Sequence, residues 1–210
     1  MSIDPYTNPQ TGVLLNKLGA TDDHDLAEAE RNLSGYALKG IRSHRYRTFS
    51  LETMKKIHKE LFQDVYKWAG KIRTVDIAKG GTMFCRSEFI DSEADRIFSS
   101  LKKDNDLKGL DQEKFCEKAA ELFCDVNMLH PFREGNGRAQ RELIYHVAKN
   151  AGYNLRLTKG SKEMYMCASI FGNSDSRQMA NYMKGLIEPV KEKKKAAKRN
   201  LSVGVPANGR

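Results

Sequence analysis

Apolar residues recur at helical spacing through most of this chain. The pattern predicts helices over residues 22–39, 51–69, 88–103, 112–129, 137–150, 162–170 and 175–188. The clearest of them, 112–129, follows Asp111 as a helix cap and ends just before Pro131. Strand-like alternation occurs only over residues 73–78, and the glycines after it predict a hairpin over about 74–85. The sequence therefore predicts a mainly α fold with one small β-hairpin.

Size and composition limit the classes of protein that this chain can belong to. Its 210 residues suit one ordinary domain with its own core. No apolar run approaches the length of a membrane span, and the first residues lack the features of a signal peptide. Four cysteines show neither CxxC pairing nor zinc-ligand spacing. We therefore expect a cytoplasmic protein with reduced thiols and no membrane partner.

The positive charge of the chain is concentrated at its C-terminal end. The formal net charge is +9, of which residues 191–210 carry +6. A lysine-rich terminus is usually a solvated, disordered end. We therefore predict one domain over residues 1–190 and a basic, disordered tail over 191–210, and we do not expect direct nucleic-acid binding.

Residues 130–141, His-Pro-Phe-Arg-Glu-Gly-Asn-Gly-Arg-Ala-Gln-Arg, hold the candidate chemistry. A helix starting at Gly137 would aim unpaired N–H groups at an anion. Arg138 and Arg141 are three residues apart, so they share a helix face and can bind neighbouring phosphates. Glu134 could hold Mg²⁺ against those phosphates. The combination indicates a nucleoside triphosphate site with a histidine base, although a simple connection between two helices stays open.

Other phosphate and metal motifs do not fit the sequence. There is no GxxxxGK[ST] run of a P-loop and no HExxH pair of a zinc hydrolase. The Gly135-Asn136-Gly137 turn follows a helix and lacks the third glycine of a dinucleotide fingerprint. The remaining histidines, among them His58, match no part of the motif.

The run from His130 to Arg141 resembles the signature HxFx(D/E)GNGRxxR of the Fic (filamentation induced by cAMP) family at every fixed position. The resemblance implies a helical bundle with a β-hairpin flap beside the active-site loop. It also implies a protein adenylyltransferase, which transfers AMP from ATP to a hydroxyl side chain of a target protein and releases pyrophosphate. The implied roles are general base for His130, Mg²⁺ ligand for Glu134, anion hole for Gly135, Asn136 and Gly137, β-phosphate ligand for Arg138 and γ-phosphate ligand for Arg141.

Two further features follow from the same resemblance. Relatives that transfer a phosphoryl group instead carry lysine in place of the second glycine, so Gly137 favours AMP transfer. The hairpin corresponds to the flap that docks a target by pairing main chain with main chain. The implied docking residues are Lys79, Gly80, Gly81, Thr82, Met83 and Phe84.

The chain carries no recognisable inhibitory helix of the family. Such a helix bears (S/T)xxxE(G/N), and its glutamate pairs with the second arginine of the motif. Only Thr48 and Glu52 have the spacing, and Thr53 follows where Gly or Asn is required. The resemblance therefore implies a stand-alone toxin (class I) whose Arg141 is covered by a glutamate from a separate antitoxin.

The target is the least determined part of the prediction. The short flap and the single compact domain resemble bacterial toxins that adenylylate the ATPase subunits of DNA gyrase (gyrase B) and topoisomerase IV. One alternative is an effector that modifies host small GTPases. The other, from a different class, is a non-catalytic module that binds a nucleotide or nucleic acid.

Overall fold

The computed structural model describes residues 4–155, 161–171 and 174–190; the tail predicted over 191–210 lies outside them. Seven α-helices and two small antiparallel sheets make up the described part, which confirms the mainly α fold and the hairpin. The elements are α1 (Asp23–Ser43), α2 (Leu51–Phe62), β1 (Ala78–Lys79), β2 (Thr82–Met83), α3 (Ile90–Lys103), α4 (Gln112–Leu129), α5 (Asn136–Asn150), β3 (Tyr153–Leu155), α6 (Lys162–Phe171), α7 (Arg177–Lys184) and β4 (Ile187–Pro189). Within these residues, no helix combines the length and apolar character needed to cross a membrane.

Helix α4 lies at the centre of the core. It begins where predicted, because the Asp111 carboxylate accepts the Lys114 N–H at 2.8 Å and caps the helix. Its side chains at spacings of four, Phe115, Ala119 and Phe123, are fully buried. Helices α3, α5 and α7 pack around it. Each buried phenylalanine contributes on the order of 2 kcal/mol, so this stripe anchors α4 in the core. Helix α4 ends at Leu129, and the motif begins at the next residue.

Helix α2 is shorter than the predicted helix over 51–69. It ends at Phe62, and the chain then turns, with the Val65 N–H donating to the Phe62 carbonyl at 2.9 Å. Trp68 is buried as its spacing suggested, but from a turn instead of a helix. Gly70, at φ +76°, donates its N–H to His58 Nδ1 at 2.9 Å and folds the segment back onto α2. Tertiary bonding thus overrides a continuing helical pattern.

The strand predictions were partly wrong. Residues 73–77 form no strand, and only the tip of the predicted hairpin pairs, Ala78 with Met83 and Lys79 with Thr82. The predicted helix over 175–188 ends at Lys184, and β4 follows it and pairs with β3. Three-residue strands are too short to show a period of two, so the sequence pattern missed this second sheet.

Candidate active site

The six residues between α4 and α5 form a loop that Asn136 closes. The buried Asn136 side chain accepts the Phe132 N–H at 2.9 Å and donates to the Phe132 carbonyl at 2.7 Å. Phe132 is itself fully buried and stacks on the His58 ring, with centroids 3.8 Å apart. Asn136 therefore shapes the loop with its side chain, besides offering the main-chain N–H that the sequence assigned to the anion hole.

The start of α5 presents open hydrogen-bond donors. The N–H groups of Asn136 and Gly137 have no acceptor in the described part of the chain. The Gly135 N–H is engaged, because it donates to Glu134 Oε1 at 2.8 Å. Of the three main-chain donors predicted for an anion hole, two are thus available at a helix N-terminus and the third orients the Glu134 carboxylate.

His130 is held as a neutral imidazole. It ends α4 in the left-handed region, at φ +43°, and its Nδ1 lies 3.0 Å from the Asn127 carbonyl. A carbonyl only accepts, so Nδ1 carries the proton and Nε2 keeps its lone pair. The ring stacks on Phe84 at 3.7 Å between centroids. Burial lowers the pKa of His130 to about 4, which leaves the ring uncharged at neutral pH.

Arg73 ties the hairpin to His130. Its side chain is fully buried, and its guanidinium donates to the carbonyls of His130 at 2.8 Å, Val75 at 2.6 Å and Cys85. The Cys85 N–H in turn donates to the Met128 carbonyl at 2.9 Å. Both sides of the hairpin are therefore anchored to the end of α4. A single arginine outside any motif gave no signal of this role in the sequence.

His58, on helix α2, holds the backbone of the loop between α4 and α5. Its Nδ1 accepts the Gly70 N–H at 2.9 Å, so Nε2 carries the proton and donates to the Glu134 carbonyl at 2.9 Å. Burial lowers the pKa of His58 to about 4, so this arrangement persists at neutral pH. The sequence gave His58 no part in the site, but the structure bonds it to the backbone of the predicted metal ligand.

The two motif arginines have different surroundings. Arg138 forms an ion pair with Glu30 of α1, at 2.7 Å, and lies over the Phe62 ring. Arg141 lies over the Tyr165 ring at 5.1 Å and has no carboxylate within 4 Å in residues 4–155, 161–171 and 174–190. The ion pair of Arg138 with Glu30 could not be predicted from the sequence, because the two residues lie on different helices.

The residues of the hairpin tip, near this loop, differ in their exposure to solvent. Lys79, Gly80 and Gly81 are exposed and Met83 is 61% exposed, whereas Thr82 is half-buried. Phe84 was grouped with these docking residues, but it is 8% exposed and faces the His130 ring. Its contact is therefore with the candidate base, and the exposed residues of the hairpin are those of its tip.

Solved structures with the same fold are Fic domains, and two of them hold a nucleotide. An N-terminal Fic domain of a putative cell filamentation protein from Bartonella quintana, with bound ADP, has a TM-score of 0.85 at 25% identity, covering 89% of this chain and 95% of that chain. The BepC protein from Bartonella tribocorum, with bound AMPPNP, has a TM-score of 0.83 at 26% identity, covering 88% and 96%. Both proteins are VirB-translocated Bartonella effector proteins.

Curated relatives agree with the structural comparison. The chain is 45% identical to the protein adenylyltransferase VbhT of Bartonella schoenbuchensis over 83% of its own length, but it spans only 37% of that relative. It is 37% identical to the probable protein adenylyltransferase Fic of Salmonella typhimurium, covering 72% of this chain and 76% of that protein. Residues 48–148, which include the whole motif, match the Fic/DOC family. The chain therefore belongs to the Fic/DOC family.

Proposed function

We propose that this chain is a protein adenylyltransferase, which moves AMP from ATP to a hydroxyl side chain of a target protein. The observation that carries the proposal is the neutral His130 ring, whose Nε2 lone pair is available at the start of the loop that leads to the open N–H groups of Asn136 and Gly137. Relatives named protein adenylyltransferase and family structures that hold ADP or AMPPNP support it.

The proposed reaction needs one proton acceptor and one anion site. The target hydroxyl oxygen attacks the α-phosphorus, and His130 Nε2 takes its proton. The bond from the α-phosphorus to the bridging oxygen breaks, and pyrophosphate leaves. In the free protein the pKa of His130 is about 4, mainly through burial. Nearby phosphate charge raises the pKa of a histidine, so a bound nucleotide makes His130 a stronger base.

The phosphates would be held by main-chain and side-chain donors. We assign the open N–H groups at the start of α5 to the phosphates nearest the bond that breaks. Arg138 then holds the β-phosphate and Arg141 the γ-phosphate. Both side chains project from the first turns of one helix, which suits neighbouring phosphates of one nucleotide.

Glu134 has the properties of a magnesium ligand. Its Oε1 accepts the Gly135 N–H, and its other oxygen has no partner among the described residues. Mg²⁺ is commonly held by one or two carboxylates together with phosphate oxygens and water, so a single oriented carboxylate fits it. When bound, the ion would neutralise charge on the α- and β-phosphates.

We further propose that the targets are the ATPase subunits of DNA gyrase and topoisomerase IV, and that the exposed hairpin tip pairs with their main chain. The short tip, with its two paired residues on each side, supports this choice. The test uses purified full chain, Mg²⁺ and a bacterial lysate. We expect label from the α-phosphate of ATP to appear on a protein of gyrase B size, and no label from the γ-phosphate. Transfer of the γ-label contradicts AMP transfer, and α-label only on other proteins contradicts the proposed targets.

A second candidate has its own supporting observation. Several of the solved structures that resemble this chain are described as Bartonella effector proteins. If this chain acts in the same setting, host small GTPases are the targets. The same labelling reaction in a eukaryotic lysate distinguishes the two candidates, since label on proteins of small-GTPase size would favour the effector.

Arg141 provides a test of regulation. We propose that a separate antitoxin supplies a glutamate to this arginine, since the described residues offer it no carboxylate. We therefore expect expression of the wild type alone to arrest bacterial growth and Arg141→Ala to restore it. Arg177→Ala, at an exposed arginine of α7, serves as the control and should stay toxic. A wild type that leaves growth unchanged contradicts the toxin proposal.

A further inference from the structure

Helix α1 holds the guanidinium of Arg138 from one side. Glu30 Oε2 lies 2.7 Å from Arg138 Nη2, and Ser34 Oγ accepts a hydrogen bond from Nη1 at 3.2 Å. Glu30 and Ser34 are four residues apart and belong to the buried face of α1. The Phe62 ring lies 4.6 Å from the guanidinium carbon. Contacts from two helices therefore fix the orientation of this arginine.

The ion pair is buried in a way that stability alone does not explain. The side chain of Glu30 is 9% exposed and that of Arg138 is 24% exposed. Besides Arg138, the Glu30 carboxylate has the Tyr66 hydroxyl as a neighbour, and, after burial, a hydrogen bond between these two side chains contributes to the raised pKa of Tyr66. A buried ion pair pays a desolvation cost that often cancels its attraction. Burial raises the pKa of Tyr66, and the negative charges of Glu30 and Glu134 raise it further. Both carboxylates therefore lie near the Tyr66 hydroxyl.

One edge of the Arg138 guanidinium stays open. Its Nε has no partner among the described residues, whereas Nη1 and Nη2 are engaged by α1. Arginine binds phosphate through neighbouring N–H groups, and fixing the fork in advance lowers the entropy cost of that contact. An anchored Arg138 can therefore offer its Nε–H, and the Nη2–H that Glu30 does not use, to a ligand.

We propose that Glu30 is a positioning residue, which holds Arg138 in the orientation that binds the second phosphate of a nucleoside di- or triphosphate. The inference rests on the proposed function, because it requires a nucleotide in the motif loop. It makes the preference for ADP or ATP over AMP depend on helix α1, which lies outside the signature motif.

The test compares the affinities of ADP and AMP for the full chain by calorimetry. We expect Glu30→Ala to weaken ADP binding about 10-fold, which corresponds to about 1.4 kcal/mol, and to leave AMP binding unchanged. Glu30→Gln should stay within about 3-fold of the wild type, because the amide oxygen can still accept from Nη2. Glu28→Ala, at an exposed position of the same helix, is the matched control and should bind both nucleotides normally.

Each of the following results would overturn the inference. If Glu30→Ala binds ADP as tightly as the wild type, or more tightly, then Glu30 does not position Arg138 for a phosphate. If the variant loses ADP and AMP affinity equally, the loop as a whole has been damaged and the β-phosphate is not selected through α1. If the wild type prefers ADP over AMP and Glu30→Ala has the same preference, only this inference is removed and the proposed function stands. A wild type that binds neither nucleotide removes the proposed function with it.

Discussion

Replacing His130 by alanine is expected to reduce transfer of α-label from ATP by at least about 100-fold, because a positioned general base contributes on the order of 10²–10⁴ to the rate. ADP affinity should stay near the wild-type value, since the His130 side chain is not assigned to the phosphates. The measurement is the initial rate of target labelling, with calorimetry of ADP binding beside it. His24→Ala is the control, because the His24 side chain is 85% exposed at the start of α1.

The pH dependence tests the same role. The base must be neutral, so the rate falls as pH drops through the pKa of His130. Because burial lowers that pKa to about 4, kcat/KM should be flat from pH 8 to pH 5. A decline centred near pH 6.5 would contradict a buried base, and undiminished labelling by His130→Ala would contradict the role itself.

The stability of the fold limits how far kcat/KM can be measured towards acid pH. Burial also lowers the pKa of His58 and of His146 to about 4. A histidine with a depressed pKa binds its proton more readily in the unfolded chain. Stability is therefore lost as pH falls from about 6.5 towards 4, by roughly 3 kcal/mol for a fully buried histidine such as His58. Rates should therefore be compared only at pH values at which a urea unfolding curve shows that the protein is folded.

The sequence predicted those parts of the site that are local in the chain. Helix α4 and the loop after it are specified by residues close to one another, namely Asp111, the apolar stripe and the glycines, so their positions could be predicted. What the sequence missed are contacts between distant residues. Arg73 reaches His130 across 57 positions, His58 reaches Glu134 across 76, and Glu30 lies 108 positions from Arg138. Periodicity carries no information about such pairs, because they depend on how the helices pack.

The same limit applies to the ends of elements. The apolar spacing continues beyond Phe62 and predicts a longer α2, but the bond between Gly70 and His58 folds the chain back. From the sequence, Gly135 was assigned only to the anion hole of the motif. At Gly135 the structure adds a second requirement, the approach of a buried ring from α2.

Replacing Gly135 by alanine is expected to destabilise the fold by about 3 kcal/mol and to displace the motif loop. Gly135 adopts φ +80°, where a Cβ costs on the order of 1 kcal/mol. That Cβ would also lie 2.4 Å from Cε2 of Phe62, a fully buried ring, and such overpacking costs roughly 1–3 kcal/mol. The measurement is the free energy of unfolding in urea, together with ADP affinity, which should fall as the α5 N–H groups move.

Gly109 separates the two causes. It has the same φ of +80°, but an added Cβ there would meet nothing within 4 Å. Gly109→Ala should therefore lose only the backbone part, about 1 kcal/mol, and should bind ADP normally. The difference between the two variants isolates the contact with Phe62. Equal losses for both would mean that the loop can shift away from the ring at no cost, and the close packing of α2 against the motif would then have no part in holding the nucleotide site.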